Sequence, residues 1–223
     1  MLAHSDASVS EYVLQATVRA LLYVRDRAAI ELLLMTERAS WNERYAGGKY
    51  SSAEPHKLLR EIAGKLEPGQ ALDLACGTGR NSIFLAENGW EVTAVDNSAV
   101  GVEIAGSRAE QKGLKINFIV ADLENSEFAI EPVAYDLICD FYYLQLDLFA
   151  KMKNGLRPGG MIISTIHIHG DGEEQGRFDL REGELKGLFS DMEILHYHET
   201  EAADTDAGDH HRRTAELVAR RVS

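Results

Sequence analysis

The feature that most narrows the fold is a rhythm. From about residue 69 the chain alternates short apolar runs with segments of helical length. Ala71–Ala75, Glu91–Asp96, Ile116–Ala121, Tyr135–Phe141 and Met161–Ile166 read as buried strands. Asn81–Asn88, Ala99–Lys112 and Leu146–Leu156 read as the helices between them. Strands separated by helices of this length imply βαβ units and a mainly parallel sheet. Asn88-Gly89 and Lys112-Gly113 supply helix stops, and Pro158-Gly159-Gly160 turns the chain into the fifth strand. After Gly170 the rhythm changes. A polar loop leads to a short helix at Glu182–Phe189, then to Met192–His198 and Arg213–Arg221, which predict an antiparallel hairpin at the sheet edge. The expected fold is α/β: a Rossmann-like, seven-stranded, mostly parallel sheet with helices on both faces and an antiparallel C-terminal hairpin.

The first 40 residues stand apart from that rhythm. Val9, Tyr12, Val13, Ala16, Ala20, Tyr23 and Val24 lie near one helical face, with Glu11, Gln15, Arg19 and Asp26 opposite. This predicts an N-terminal helical extension over 1–40 ahead of a main domain over 41–223. The apolar face of the extension needs a cover. The candidates are the main domain, a lid over the active site, and a second subunit, the last making a homodimer through the extension.

Composition removes several function classes. A chain of 223 residues has room for one large α/β domain. The formal charge of −13 argues against a nucleic-acid partner, because the phosphate backbone would meet net repulsion. The densest basic cluster, Arg212-Arg213 with Arg220-Arg221, is too thin to form a binding stripe. The chain has no apolar run of about 18 residues, so no membrane span is expected. Met1–Asp6 has no basic segment leading into an apolar one, so no secretory leader is expected either. Two cysteines, Cys76 and Cys139, cannot make a disulfide framework, and a cytoplasmic location is expected.

The chemistry is carried by one segment, Ala71-Leu72-Asp73-Leu74-Ala75-Cys76-Gly77-Thr78-Gly79-Arg80-Asn81-Ser82. A buried strand runs into a glycine-containing turn and then a helix, the arrangement that binds ligands at the carboxyl edge of a parallel sheet. Gly77 and Gly79 remove side chains where a cofactor approaches the backbone. Asp73 at the strand end can accept hydrogen bonds from a cationic amine. Asp96 ends the second strand at the distance that suits paired ribose hydroxyls. A dinucleotide oxidoreductase is the rival reading. Against it, the third glycine of G-x-G-x-x-G is replaced by Ser82, and Asp73 suits an ammonium better than a pyrophosphate. A second rival is a binding protein that keeps the pocket without catalysis.

Leu72-Asp73-Leu74-Ala75-Cys76-Gly77-Thr78-Gly79-Arg80-Asn81 resembles motif I of class I S-adenosylmethionine-dependent methyltransferases. Val92–Asp96, Val120–Leu123, Tyr135–Ile138 and Leu156–Gly160 are similar to that family's later motifs, in its order and spacing. The resemblance implies S-adenosyl-L-methionine as cofactor and a small-molecule methyl acceptor. It implies that Asp73, Ala75 and Gly77, with Gly79 in the same turn, line the methionine part. Asp96 and Asn97 would bind ribose and adenine, with Asp122 and Leu123 at the adenine amine. Asp140 would lie where the chain passes the sulfonium and the acceptor.

Shorter motifs narrow the resemblance. Trp41-Asn42-Glu43-Arg44-Tyr45 is similar to the W-x-x-R-Y opening of the tellurite-resistance and thiopurine methyltransferase-like group. Phe178–Leu185 and Arg212–Arg221 resemble that group's segments before the sixth strand and at the closing strand. The group implies soft (S/Se/Te) or other small acceptors, with Tyr45 closing the cofactor pocket. The chain departs from the pattern at Asp140-Phe141-Tyr142-Tyr143, where a small residue is commoner at the first position. The mechanism implied is in-line displacement at the methyl carbon, in which alignment supplies much of the acceleration. A soft nucleophile needs little help from a base, whereas an amine or hydroxyl needs one. Candidate catalytic residues on the acceptor side are Asp140, His167 and Arg177; Arg177 could also hold an oxyanion bidentately. His167-Ile168-His169 with Asp171 is a weak metal signal, and no metal is expected.

Overall fold

The apolar runs become parallel neighbours in one sheet, though not in chain order. The computed structural model describes residues 38–169, 179–200 and 212–222, and Asn42–Ser223 forms one compact unit. The strands are β1 (Gln70–Leu74), β2 (Glu91–Asp96), β3 (Asn117–Val120), β4 (Tyr135–Phe141), β5 (Leu156–His169), β6 (Asp179–Arg181), β7 (Glu193–Glu199) and β8 (Thr214–Arg220). The sheet order is β3-β2-β1-β4-β5-β8-β7, with β6 pairing to β5. Strands β1 to β5 pair in parallel, while β8 runs antiparallel to both β5 and β7. The order reverses between β1 and β4, and at such a switch point the crossovers diverge and leave a crevice beyond the strands' carboxyl ends.

The central strands feed two cores because successive side chains point to opposite faces. Leu72, Ile138, Ile162 and Leu217 pack on one side, together with Leu148, Phe149 and Met152 of helix Leu146–Gly155. Their neighbours Ala71, Leu137, Ile163 and Val218 pack on the other, with Leu58 and Leu59 of helix Lys57–Ala63 and Leu85 of helix Arg80–Glu87. In chain order the helices are α1 (Lys57–Ala63), α2 (Arg80–Glu87), α3 (Ala99–Gln111), α4 (Leu146–Gly155) and α5 (Glu184–Leu188). Strands buried on both faces explain why the runs read as continuous hydrophobic stretches rather than alternating ones.

Two details differ from the sequence-based expectation. The sheet has eight strands, not seven. Pairing between β4 and β5 ends at Phe141↔Thr165, and β6 then takes up the β5 edge from His167↔Asp179 to His169↔Arg181. A three-residue strand with a charge at each end carries no period to detect. The antiparallel C-terminal hairpin is as expected, with β8 pairing to β5 and β7 lying at that edge of the sheet. Helix α1 is also new, since its His56 cap falls outside the common helix-start pattern and its seven residues are too few to show a clear period. The predicted extension over 1–40 falls, up to residue 37, outside the described residues. Among the described residues no helix is long and apolar enough to cross a membrane.

Candidate active site

The turn after β1 is built around three left-handed residues, Ala75 (φ 52°), Gly77 (φ 54°) and Gly79 (φ 80°). Glycine meets that requirement without steric cost; Ala75 does so at a penalty of about 1–2 kcal/mol. Strained backbone of this kind persists where the surroundings over-determine it. Here they do. The Cys76 N–H donates to the Val95 carbonyl at 3.0 Å, and the Gly79 N–H to the Cys76 carbonyl at 3.0 Å. The Asp96 carboxylate accepts from the Gly77 N–H through Oδ2 and from the Ser98 N–H through Oδ1, both at 2.8 Å. One side chain at the tip of β2 thus shapes the glycine turn and begins α3. Its second lone pairs remain available to ligand hydroxyls.

The two glycines serve different neighbours. A Cβ on Gly77 would stand 2.8 Å from the Tyr45 hydroxyl, whereas one on Gly79 would stand 2.6 Å from the Cβ of Ala105 on α3. The missing side chain at Gly79 therefore lets α3 approach the turn closely.

A strap formed by residues 42–52 crosses this turn. Residues 42–46 are helical, and the Tyr45 ring packs on Gly101 and Gly77. Burial, and then the Asp96 charge, push the Tyr45 phenol above the ordinary tyrosine range. Asn42 Oδ1 accepts from Ser98 Oγ at 2.7 Å. Arg108 of α3 donates to the Ser51 carbonyl at 2.8 Å and to the Thr78 carbonyl at 3.1 Å, tying strap and turn to one guanidinium.

Carboxyl groups gather beneath the turn. Asp73 is buried and accepts a hydrogen bond from Ser82 Oγ. Burial pushes its pKa up to about 7, against the opposing effects of the Ser82 hydrogen bond and the Arg80 charge. Burial also raises Asp96, which its two backbone donors partly offset. Asp140 is held well above the usual carboxylate range by burial first and by the Asp73 charge second, with the Tyr143 backbone N–H opposing. Both Asp140 oxygens nevertheless lack a hydrogen-bond partner of good geometry. Burial also raises the Cys76 and Cys139 thiols, with nearby carboxylates adding to it, as befits packing residues rather than nucleophiles.

The far wall is aromatic. His56 caps α1, its Nδ1 accepting from the Leu58 N–H at 3.2 Å. That assigns the proton to Nε2, which donates to the Tyr142 hydroxyl at 3.0 Å. The His56 ring stacks on Phe141 at 4.6 Å, and the Tyr142 ring lies 5.1 Å from that of His167. Arg80 sits over Tyr142 at 6.0 Å, between the Asp73 side and the aromatic side. Tyr142 holds this place with φ 65°, where β4 leaves the sheet.

Against this geometry, comparison with known proteins is decisive. A family model described as "Tellurite resistance protein TehB" matches residues 39–217. The chain belongs to the TehB family. It is similar to "Hemagglutinin 1" of Eikenella corrodens, with 29% identity over 184 residues, covering 78% of this chain and 59% of that protein. It is also similar to the "Probable S-adenosyl-L-methionine-dependent methyltransferase TehB" of Haemophilus influenzae, 27% identical over 170 residues, or 70% of this chain and 57% of the relative. The chain thus spans under three-fifths of the length of these curated relatives. Among solved structures, TehB from Haemophilus influenzae superposes with a TM-score of 0.66 and 25% identity, over 81% of this chain and 67% of the other.

In this TehB-family chain, the sequence-predicted residues Tyr45, Asp73, Ala75, Gly77, Gly79 and Asp96 meet at the one turn described. Asn97 is half-buried between Asp96 and the Ser98 cap of α3. Asp122 is buried at the tip of β3, its Oδ1 accepting from the Glu124 N–H at 2.9 Å, so its carboxylate folds back on its own loop. Leu123 is buried beside it, and its carbonyl accepts from Gln145 Nε2 at 3.3 Å. Asp140 and His167 are buried at the ends of β4 and β5. Arg177 and Asp171 lie outside the described residues. Among the described residues no three His, Cys, Asp or Glu side chains converge as metal ligands. Sequence reasoning missed His56 and Ser82 as parts of the site. The Pro55-His56 pair ahead of an apolar turn signals the first; the second was read only as a lost glycine.

Proposed function

We propose that this chain is an S-adenosyl-L-methionine-dependent methyltransferase acting on a small soft acceptor. The observation that carries the reading is the Asp96 bridge. One carboxylate grips both the Gly77 and the Ser98 N–H groups, in a chain whose family match spans residues 39–217 and so every strand tip of the site. In this reading Asp96 and Asn97 take the ribose hydroxyls, and Asp122 and Leu123 flank the adenine. Asp73, Ala75 and Gly77, with Gly79, form the methionine side, and Tyr45 closes over it. The residues present fit such a group. Asp73, raised towards neutrality by burial, gains a cationic partner when an ammonium arrives, and the left-handed Ala75 and Gly77 present backbone rather than side chain.

The cofactor supplies an electrophilic methyl on a sulfonium; the acceptor forms the new bond to carbon as the old C–S pair stays on sulfur. The protein's task is alignment, because little proton transfer is needed for a thiol or selenol that ionises readily. Phe141, Tyr142, His56 and His167 support that role as an apolar-faced wall that disfavours water and suits polarisable atoms. Asp140 precedes Phe141 on β4 and, by strand alternation, faces the other side of the sheet. The proton of a thiol acceptor leaves to solvent or to a nearby base, and His167 is the described candidate. Arg177 keeps its proposed part as an anion clamp.

The test has two arms. Titration calorimetry with S-adenosylhomocysteine is expected to show saturable binding, and NADH none. A methyl-release assay over thiols, selenite, tellurite and amines is expected to show turnover with thiols. Binding without turnover on any of them would leave a non-catalytic binding protein; NADH binding would restore the oxidoreductase.

A further inference from the structure

Tyr142 follows β4 in a conformation that its side chain does not favour. Its φ is 65°, in the left-handed region where a bulky residue is uncommon and strained. Such strain persists where the surroundings fix it, and it gathers at functional sites. Tyr142 belongs to Asp140-Phe141-Tyr142-Tyr143, the stretch where the sequence departs from the family pattern. Its backbone is pinned by the Tyr142 N–H, which donates to the Thr165 carbonyl at 2.7 Å. The ring is set between Arg80, 6.0 Å from its centroid, and the His167 ring at 5.1 Å. The hydroxyl is held by His56, and His56 in turn by Asn81, whose Oδ1 accepts from the His56 N–H at 2.9 Å. Asn81 belongs to the motif around the glycine turn, so a chain of contacts runs from that turn to the Tyr142 oxygen. Tyr142 and Arg80 are both only half-buried, at the carboxyl ends of the strands where the crevice opens.

We infer that the Tyr142 hydroxyl is a catalytic group that donates a hydrogen bond to the anionic chalcogen group of the methyl acceptor, with His56 as its positioning residue. The inference rests on the methyltransferase reading and deepens its acceptor side. The direction of donation follows from His56. Its Nδ1 accepts from the Leu58 N–H at 3.2 Å, so Nε2 carries the proton and the Tyr142 oxygen accepts in that contact. A phenol has one proton, so the Tyr142 O–H is directed away from His56. Accepting from His56 also polarises the hydroxyl and strengthens it as a donor. Arg80 adds a positive charge over the ring face, and an anion beside the hydroxyl gains from both. The shared chemistry is a soft anion: a thiolate, a selenolate, or an oxyanion of selenium or tellurium. Tyr142 keeps its proton throughout. A thiol acceptor loses its own proton to solvent or base, and the hydrogen bond holds the resulting thiolate. The charge on that sulfur fades as its bond to the methyl carbon forms, so the hydrogen bond is stronger before transfer than during it.

Tyr142→Phe keeps the ring and removes only the hydroxyl, while His56→Asn keeps a cap for α1 and removes the contact. The probe is 4-fluorothiophenol, whose fluorine shift reports the ionisation of its sulfur. The protein is saturated in S-adenosylhomocysteine, at a pH where the free probe is mostly thiol. Fluorine NMR is expected to show a bound probe about tenfold richer in thiolate, the order that a hydrogen bond to a charged group gives. Y142F is expected to abolish that enrichment and H56N to reduce it, with S-adenosylhomocysteine affinity within about twofold of native in both. A merely structural role for either residue would leave the ionisation of the bound probe unchanged. In methyl-release assays, Y142F is expected to raise KM about tenfold for an acceptor already ionised, while kcat holds or rises. Turnover of the thiophenol assigns the anion as a thiolate. Equal enrichment in the native chain and Y142F overturns the inference, and native enrichment in H56N removes His56 from it. A Y142F variant that loses S-adenosylhomocysteine affinity also overturns it, by assigning Tyr142 to the cofactor. So does a probe that fails to bind, unless Y142F raises KM for selenite or tellurite, which assigns the anion as an oxyanion. The ionisation measurement needs no turnover, so the two readings fail separately. A chain that enriches the thiolate and methylates nothing loses the methyltransferase reading and keeps Tyr142 as the anion's donor.

Discussion

Replacing Gly79 by alanine should destabilise the fold, because the added methyl is aimed at α3. The backbone there has φ 80°, where an L-residue loses about 1–2 kcal/mol. The added methyl would sit 2.6 Å from the Cβ of Ala105 and 3.3 Å from its Cα. Neither is the end of a flexible side chain, so α3 itself must move, at a cost of about 1–3 kcal/mol for overpacking. The sum, about 2–5 kcal/mol, predicts a fall in Tm of roughly 4–20 °C for a domain of this size. Thermal melting followed by circular dichroism measures it. Ala105→Gly offers a control, since it removes the facing methyl at about 1 kcal/mol of helix propensity. The double variant G79A/A105G should therefore be more stable than the two single losses added together, by about 1–3 kcal/mol. Gly77→Ala provides the contrast, because its new methyl meets the Tyr45 side chain, 2.8 Å from the hydroxyl oxygen and 3.3 Å from Cζ, rather than the backbone of a helix. It should melt closer to the native chain yet bind S-adenosylhomocysteine more weakly. A G79A variant within about 0.5 kcal/mol of native stability, or a strictly additive double variant, would refute the packing argument.

Asp96→Ala should weaken S-adenosylhomocysteine binding by about 1–3 kcal/mol through lost ribose hydrogen bonds, and should also lower Tm because two buried N–H donors lose their acceptor; calorimetry with unchanged affinity would remove Asp96 from the site. Asp73 titrates near pH 7 in the free protein, beside Arg80, Asp96 and Asp140, and its ionised form is the one a cationic ligand prefers. S-adenosylmethionine binding should therefore tighten up to about tenfold from pH 6 to pH 8 and flatten in Asp73→Asn; a pH-independent Kd in the native chain contradicts this. The same raised value gives the ligand-free fold a stabilising contribution that is full below about pH 4 and lost as pH rises through 7, so Tm should fall over that interval. His56→Ala should cost about 1–3 kcal/mol, combining a lost helix cap with lost ring stacking; His56→Asn, which can still cap α1, should recover part of the stability but none of the Tyr142 contact, as urea melts would show.

What the sequence disclosed was local. Strand, turn and helix around Asp73–Ser82 follow one another within a dozen residues, and their order fixes that Asp73 and Gly77 share one edge. Asp96 is 19 residues from Gly77, a span filled by one helix and one parallel strand, so its return to the Gly77 N–H is set by the βαβ unit. The position of β8 inside the sheet, the existence of β6, and the side-by-side placement of Asp140 and Ser164 depend instead on register between strands joined by long excursions. No local pattern encodes that register. His56 reaches Tyr142 across 86 residues for the same reason, and only the folded sheet brings the two rings together.

Ser82 shows how a departure from a motif can be read in the wrong direction. As a missing third glycine it counts only against a dinucleotide site. In the fold it is fully buried on the first turn of α2, and its hydroxyl donates to Asp73 across the strand–helix junction. The close approach that a third glycine would supply is made at Gly79, against Ala105 of α3. The roles of glycine have been redistributed. One position keeps the helix contact, another keeps the open backbone beside Tyr45, and the third becomes a donor that holds a carboxyl in place. A pyrophosphate gains nothing from a carboxyl so positioned, whereas an ammonium does, and the exchange of glycine for serine is thereby part of the argument for a cationic ligand.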